Sequence, residues 1–142
     1  MSPRDAVLGI DPGTRKCGFA VVAPGEPPIA LGIEATPTLR SRVVILATTY
    51  APRVIAVGAG TNGKAVAELL ADVGLPIHVT DEVETTLRAR ARYFEDHPPS
   101  GWRRWVPRGM LLPPRPIDDY AALLIAERCL ADLQTGKLGL LS

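Results

Sequence analysis

The stretch Leu8-Gly-Ile-Asp-Pro-Gly-Thr-Arg-Lys-Cys-Gly-Phe-Ala-Val-Val22 predicts how the sheet of this protein begins. Residues Ala6–Ile10 are apolar throughout and stop at Asp-Pro-Gly, which predicts a buried strand followed by a turn. Cys17–Ala23 predicts a second strand that ends at Pro24-Gly25, and Ile29–Glu34 predicts a third. Because only short turns with glycine and proline separate them, we expect the three strands to form an antiparallel meander.

Helices and short strands alternate in the rest of the chain. Thr36-Pro37 predicts a helix N-cap followed by proline at the first helical position. Val54–Val57 is wholly apolar, as is typical of a parallel strand that is buried on both faces. The further predicted elements are a helix that ends at Gly74, a strand over Pro76–Val79, and helices over Thr85–Phe94 and Ile117–Leu133. This order predicts an α/β fold in three layers, with a mixed five-stranded sheet of three antiparallel and two parallel strands flanked by helices.

Size and composition fit one globular domain over residues 1–142. The chain is 46% hydrophobic and 22% charged, which argues against disorder. No apolar run approaches the roughly 18 residues that a membrane-crossing helix needs, so we expect no membrane partner. No signal peptide is visible, and Cys17 and Cys129 form neither a CxxC pair nor a disulfide framework. These features favour a cytoplasmic protein.

The net charge of the chain is only +1, but one segment is strongly basic. From Arg88 to Arg115 there are seven arginines and two acidic residues, whereas the rest of the chain carries 9 basic and 13 acidic residues. Residues 95–116 also hold six of the 14 prolines and both tryptophans, which predicts a long loop. A concentrated basic stretch suggests an anionic polymer as partner, and an ordinary solvated face is the alternative.

Acidic residues stand at the ends of three predicted elements. Asp11 closes the first strand, Asp81-Glu82 follow the fifth strand, and Asp118-Asp119 open the last helix. Functional groups gather outside the carboxyl ends of parallel strands, so we expect these carboxylates to converge. Converging carboxylates repel each other unless a cation intervenes, and oxygen ligands suit Mg²⁺ or Mn²⁺. Taken singly, each acid also fits a turn, a solvated loop or a helix-dipole partner.

Three motifs, in this order, resemble those of a known nuclease group. Leu8–Val22 resembles the first strand and turn of the RuvC-type Holliday junction resolvases and of the related YqgF (RuvX) nucleases, both of the ribonuclease H-like superfamily. Asp81-Glu-Val-Glu-Thr-Thr86 resembles the Asp-Glu-Arg-Leu-Ser/Thr motif of the YqgF group. Asp118-Asp-Tyr-Ala-Ala-Leu-Leu-Ile-Ala126 resembles its closing Asp-x-x-Ala-Ala helix. The length of 142 residues suits the YqgF group better than the longer resolvases.

The resemblance implies a ribonuclease H-like fold and a metal-dependent endonuclease that hydrolyses phosphodiester bonds. By position, Asp11, Glu82 and Asp118 would be the catalytic carboxylates and would hold two Mg²⁺ or Mn²⁺ ions, with Asp119 as a reserve ligand. The role implied by the YqgF group is processing of precursor 16S ribosomal RNA, and cleavage of Holliday junctions or other branched DNA is the alternative. Val83 stands where the group has arginine, which leaves the choice between structured RNA and branched DNA open.

Basic and aromatic residues are candidates for holding nucleic acid. Arginines could neutralise phosphates, and Trp102 and Trp105 offer surfaces on which unpaired bases stack, unless they anchor the loop to the core. Lys64 follows Gly58-x-Gly60-x-x-Gly63, a turn whose amides could hold a phosphate. The candidates for nucleic-acid binding are Arg15, Lys16, Lys64, Arg88, Arg92, Arg103, Arg104, Arg108, Trp102 and Trp105.

Two other classes of protein remain open. Asp-x-Gly-Thr also begins the phosphate-binding hairpin of actin-like ATPases, but that fold needs two such domains and this chain supplies one. A non-catalytic nucleic-acid-binding module is the other class, although acidic residues at all three motif positions argue against it. The sequence does not determine the oligomeric state, and a homodimer stays open.

Overall fold

A computed structural model describes residues 5–80, 85–107 and 112–136 of the chain. Its strands form one five-stranded sheet with the spatial order β3-β2-β1-β4-β5. The strands are β1 (Val7–Asp11), β2 (Lys16–Val22), β3 (Ala30–Ala35), β4 (Val54–Val57) and β5 (Ile77–Val79). The helices are α1 (Leu39–Tyr50), α2 (Thr61–Leu69), α3 (Thr85–Asp96) and α4 (Asp118–Gln134). Within the described ranges, no helix is long and apolar enough to cross a membrane.

The pairing of the strands confirms the predicted mixed sheet. β1 pairs antiparallel with β2, and β2 pairs antiparallel with β3, whereas β1 and β5 both run parallel to β4. In the register, Asp11 lies opposite Gly18 and Ile10 lies opposite Val57. The ends of β1, β4 and β5 therefore share one edge of the sheet, which we call the carboxyl edge.

Helices cover both faces of the sheet. Alternate residues of a strand point to opposite sides, so each face of the sheet presents apolar side chains that a layer of helices buries. On one face, Val7 and Ala56 belong to a buried cluster with side chains of α3 and α4. On the other face, Leu8 and Ile55 belong to a second cluster, with side chains of α1 and α2. This arrangement explains why the central strands are apolar throughout, and it confirms the three layers.

Two glycines allow α4 to lie directly on the sheet. A Cβ atom at Gly9 would overlap the carbonyl oxygen of Ala122 and lie 2.7 Å from the Cβ atom of Ala126. A Cβ atom at Gly18 would overlap the carbonyl group of Asp118. Because these two glycines have no side chains, α4 can pack closely on the sheet. Its first residue, Asp118, therefore contacts Gly18, which is the strand partner of Asp11.

The start of α1 differs from the prediction. Thr36 is not an N-cap; residues Thr36–Thr38 form a 3₁₀ turn that precedes the helix, and neither start carries a side-chain cap bond. The hydroxyl of Thr36 instead donates a hydrogen bond to the carbonyl oxygen of Gly13, 3.0 Å away. Its oxygen is therefore committed to the turn between β1 and β2, far along the chain from the helix that it was expected to cap.

Other boundaries differ as well. Strands β1, β2 and β3 shift by one residue, and α2 spans Thr61–Leu69 rather than reaching Gly74. Gly74 has φ +98, so it closes the irregular turn after the helix, where a side chain would be strained. The predicted long loop contains a 3₁₀ turn over Gly101–Trp105.

Candidate active site

Asp11 and Asp118 lie close together at the carboxyl edge. Asp11 is the last residue of β1 and is paired with Gly18, and the backbone of Asp118 rests directly above Gly18. The pKa of Asp11 is raised from 3.8 to about 6, first by burial and then by the negative charge of Asp118. The fold therefore brings together two carboxylates that are more than a hundred residues apart in the sequence.

One oxygen of Asp118 has no hydrogen-bond donor. In the described part of the chain, Asp118 Oδ2 is buried and accepts no hydrogen bond, although the side chain as a whole is half-buried. Lys16 Nζ lies 3.5 Å from this oxygen and forms an ion pair with it. A buried carboxylate oxygen without a hydrogen bond is costly, and in a functional site it indicates an oxygen that is available to a ligand.

Asp119 is held differently from its neighbour. Its side chain is 8% exposed, and Arg115 nitrogens lie 3.3 and 3.4 Å from its two oxygens. The N–H of Tyr120 donates a further hydrogen bond of 3.0 Å to Oδ1. Successive residues of a helix point roughly 100° apart, so the start of α4 cannot direct both aspartates at Asp11. Asp119 is therefore held in an ion pair with Arg115, whereas Asp118 is the residue whose charge acts on Asp11.

Arg115 ties the start of α4 to α3. Its guanidinium group lies 5.3 Å from the ring centre of Tyr93 and 5.7 Å from that of Tyr120. The hydroxyl of Tyr120 donates a hydrogen bond of 2.8 Å to Asp96 Oδ2. Burial, followed by this hydrogen bond, raises the pKa of Tyr120 to about 12, so the hydroxyl stays a donor at neutral pH. Sequence reasoning missed this network, whose one visible signal is an arginine four residues before Asp119.

The third predicted carboxylate lies outside the described residues, as do its neighbour Asp81 and the predicted phosphate contact Arg108. The last described residue before Glu82 is Thr80, which is buried. Its N–H donates a hydrogen bond of 2.8 Å to the carbonyl oxygen of Val57, the last residue of β4. Thr80 is therefore at the carboxyl edge, and Glu82 follows it two residues later in the sequence.

Two carboxylates among the described residues are suitable ligands for a divalent cation. No group of three or more His, Cys, Asp or Glu side chains that could hold a metal occurs within residues 5–80, 85–107 and 112–136. Asp11 and Asp118 nevertheless supply carboxylate oxygens, and one of them, Asp118 Oδ2, is buried and accepts no hydrogen bond from these residues, with Lys16 as its ion-pair partner. Carboxylates are the ligands that Mg²⁺ prefers, and this ion completes its coordination with water and phosphate oxygens. The donor chemistry thus agrees with the predicted cofactor.

The basic candidates fall into two groups. Arg15, Lys64 and Arg88 are exposed, so their charges are available to a ligand. Arg92 is engaged elsewhere, because its two terminal nitrogens lie 2.7 and 3.0 Å from the carboxylate oxygens of Glu127 on α4. This two-point ion pair joins α3 to α4 and argues against a phosphate contact by Arg92.

We expect Arg92→Ala to lower the free energy of unfolding by about 1–2 kcal/mol, because a half-buried charged hydrogen-bond pair is lost. Urea unfolding measures this change, and Arg88→Ala, which removes an exposed arginine from the same helix, should stay within about 0.5 kcal/mol of the parent. A weaker salt dependence of nucleic-acid binding in Arg92→Ala, without loss of stability, would show that Arg92 contacts phosphate after all.

We expect Asp11→Asn to stabilise the metal-free protein by about 1–2 kcal/mol above pH 6, after allowance for partial solvent exposure. The folded state raises the pKa of Asp11 to about 6, so between roughly pH 4 and 6 it binds more protons than the unfolded state. The contribution of Asp11 to stability therefore falls as the pH rises through this window. Thermal unfolding in EDTA should give the variant a higher Tm at pH 8 and a smaller advantage at pH 4; equal Tm values at pH 8 would contradict the crowding of the two carboxylates.

Comparison with known proteins supports the fold assignment. No family model matches the sequence, and no curated protein is similar to it. Among solved structures, RuvC of Thermus thermophilus in complex with a Holliday junction substrate is similar, with a TM-score of 0.63 and 19% identity, over 92% of this chain and 96% of that chain. A second Thermus thermophilus RuvC structure gives a TM-score of 0.61 over the same shares, also at 19% identity. The chain therefore has the ribonuclease H-like fold of RuvC.

Proposed function

We propose that this protein is a divalent-metal-dependent endonuclease that hydrolyses phosphodiester bonds of nucleic acid. The observation that supports it best is the convergence of Asp11 and Asp118 at the carboxyl edge, where one buried oxygen of Asp118 accepts no hydrogen bond from the described residues. Lys16 offsets part of the negative charge from a half-exposed position. Burial and the charge of Asp118 still raise the pKa of Asp11, so the two carboxylates retain a net repulsion that a structural role leaves unexplained. A cation binding there would remove the repulsion.

Each residue of the site has a role in this proposal. Asp11, Asp118 and Glu82 would hold Mg²⁺ or Mn²⁺, two ions in the full site. Ions in such sites stabilise charge on the phosphodiester and make water more acidic. Lys16 lies beside Asp118 and would contact a phosphate oxygen once the carboxylate has another partner. Asp119 and Arg115 would keep the first turn of α4 in place, so that Asp118 stays directed at Asp11.

For the substrate we propose precursor 16S ribosomal RNA, which rests on the resemblance of the second and third motifs to those of the YqgF group. Branched DNA is the second candidate, because RuvC, whose fold this chain shares, is known in complex with a Holliday junction substrate. Resolution of a four-way junction needs two cuts, so this second role would require a homodimer. Both cysteines are free and buried, which fits the reducing cytoplasm as the compartment.

A cleavage assay tests the proposal and separates the two substrates. The wild-type chain is given Mn²⁺ with a structured precursor RNA, a linear duplex DNA and a four-way DNA junction, each in parallel with EDTA. We expect cleavage of the RNA with Mn²⁺ and none with EDTA. Paired symmetric cuts in the junction would instead establish the resolvase role, and no metal-dependent cleavage of any substrate would refute the nuclease.

A further inference from the structure

Trp102 and Trp105 are unusually exposed. Their exposed fractions are 74% and 80%, the highest among the exposed large apolar side chains of the described residues. Single exposed leucines or valines need no explanation, but a tryptophan offers far more apolar area, and buried aromatic residues contribute strongly to folding and binding. Two tryptophans, three positions apart and both facing solvent, form an aromatic surface that indicates a binding partner.

The backbone around the tryptophans is anchored without their help. In the 3₁₀ turn Gly101–Trp105, the N–H of Arg103 donates a hydrogen bond of 3.2 Å to Ser100. Val106 packs against the cluster between α3 and α4, and Arg103 Nη2 donates a hydrogen bond of 2.8 Å to the carbonyl oxygen of Leu112. The turn is therefore held by Val106 and Arg103. The tryptophans do not pin the loop to the core.

The segment around the two tryptophans is positively charged, as is typical of a surface that binds a polyanion. Residues 97–117 contain four arginines and no acidic residue. Within the turn, the guanidinium group of Arg104 lies 5.5 Å from the ring centre of Trp105, so cation and aromatic face are presented together. A nucleic-acid strand is a ligand that offers both regularly spaced negative charges and flat aromatic faces. In a duplex the base faces are stacked on each other, so the match is to unpaired bases.

The turn is also joined to the segment that leads into α4. The hydrogen bond from Arg103 to Leu112 joins it to the segment that leads into α4, where Arg115 holds Asp119. We propose that residues 101–106 form a platform for an unpaired stretch of nucleic acid, in which Trp102 and Trp105 stack on bases while Arg103 and Arg104 contact phosphates. This proposal rests on the proposed function and deepens it, because it names a substrate that contains unpaired bases.

Tryptophan fluorescence tests the platform directly, since Trp102 and Trp105 are the only tryptophans of the chain. The wild-type protein is titrated in EDTA with a thymine oligonucleotide, with an abasic strand of equal length and charge, and with a blunt duplex. We expect the thymine strand to quench the fluorescence and to bind at least about tenfold more tightly than the abasic strand. Because EDTA prevents metal-dependent cleavage, the result does not depend on whether the nuclease proposal holds.

Substitutions separate stacking from charge. Trp102→Ala and Trp105→Ala should each weaken binding of the thymine strand by roughly 5- to 150-fold with an unchanged salt slope, and phenylalanine at the same position should restore most of it. Arg104→Ala, which leaves the anchoring hydrogen bond of Arg103 in place, should reduce the slope of log affinity against log salt by roughly 0.7, the value for one phosphate contact on a single strand. Ile45→Ala is the matched control, because Ile45 is exposed on α1 across the sheet, and it should bind like the wild type.

Three results would overturn the platform. The first is equal affinity for the thymine and abasic strands. The second is quenching by vesicles of anionic lipid but not by the oligonucleotide, which would indicate a membrane surface as partner. The third is a dimer in analytical ultracentrifugation that Trp102→Ala or Trp105→Ala converts to a monomer, since the aromatic surface would then be an interface between copies.

Discussion

Asp118→Asn and Asp11→Asn should each reduce Mn²⁺-dependent cleavage by more than roughly 100-fold, whereas Asp119→Asn should keep measurable activity. The loss of a direct metal ligand costs more than the roughly 10- to 100-fold seen when a residue that only orients a ligand is removed. Asp118 has a buried oxygen that accepts no hydrogen bond from the described residues and is paired only with the half-exposed Lys16, whereas Asp119 is held by Arg115 and by the N–H of Tyr120. Cleavage rates at saturating Mn²⁺ measure the difference between the three variants.

Stability measurements serve as the control for this comparison. Asp11→Asn removes a repulsive charge, so it should keep a Tm at or above that of the metal-free wild type. Asp118→Asn removes the same repulsion but also the ion pair with Lys16, so its Tm should stay close to that of the metal-free wild type. Asp119→Asn leaves Arg115 without its charged partner and should lower the Tm by several degrees. An inactive Asp119→Asn beside an active Asp118→Asn would reverse the assignment, and full activity in all three variants would remove these aspartates from the mechanism.

Gly18→Ala should lower the free energy of unfolding by about 3 kcal/mol or more and should also abolish cleavage. The new methyl group would overlap the carbonyl group of Asp118, and backbone of a packed helix has little room to move. Relief of the clash must shift the start of α4 away from β2, which separates Asp118 from Asp11. Urea unfolding and the Mn²⁺-dependent cleavage rate measure the two effects.

Gly32→Ala is the matched control, because it adds the same methyl group to the neighbouring strand β3. There the Cβ atom would meet the far end of the Phe19 ring, which can turn aside, rather than backbone. We expect a smaller loss of stability and no loss of cleavage. Similar losses in the two variants would mean that glycine matters at Gly18 for strand conformation and not for the approach of α4.

Sequence patterns predicted most of the fold, because strands, turns and helix positions depend mainly on residues that are close together in the chain. Apolar runs and short Gly/Pro turns define β1 to β3 to within one residue, and the wholly apolar Val54–Val57 identifies a parallel strand buried on both faces. The position of Asp11 at the end of β1 also follows from its place before Pro-Gly. Each of these features depends on residues within a few positions of each other, so the sequence displays it directly.

The tertiary structure alone decided which charged and aromatic side chains have partners. Arg92 and Glu127 are 35 residues apart and meet because α3 packs beside α4. The proximity of Asp118 to Asp11 depends on where α4 contacts Gly18, and the exposed turn of the tryptophans is held by Val106 and Arg103. These contacts depend on how whole helices pack on the sheet. The residues next to each side chain in the sequence do not determine that packing, so the sequence pattern does not predict the contacts.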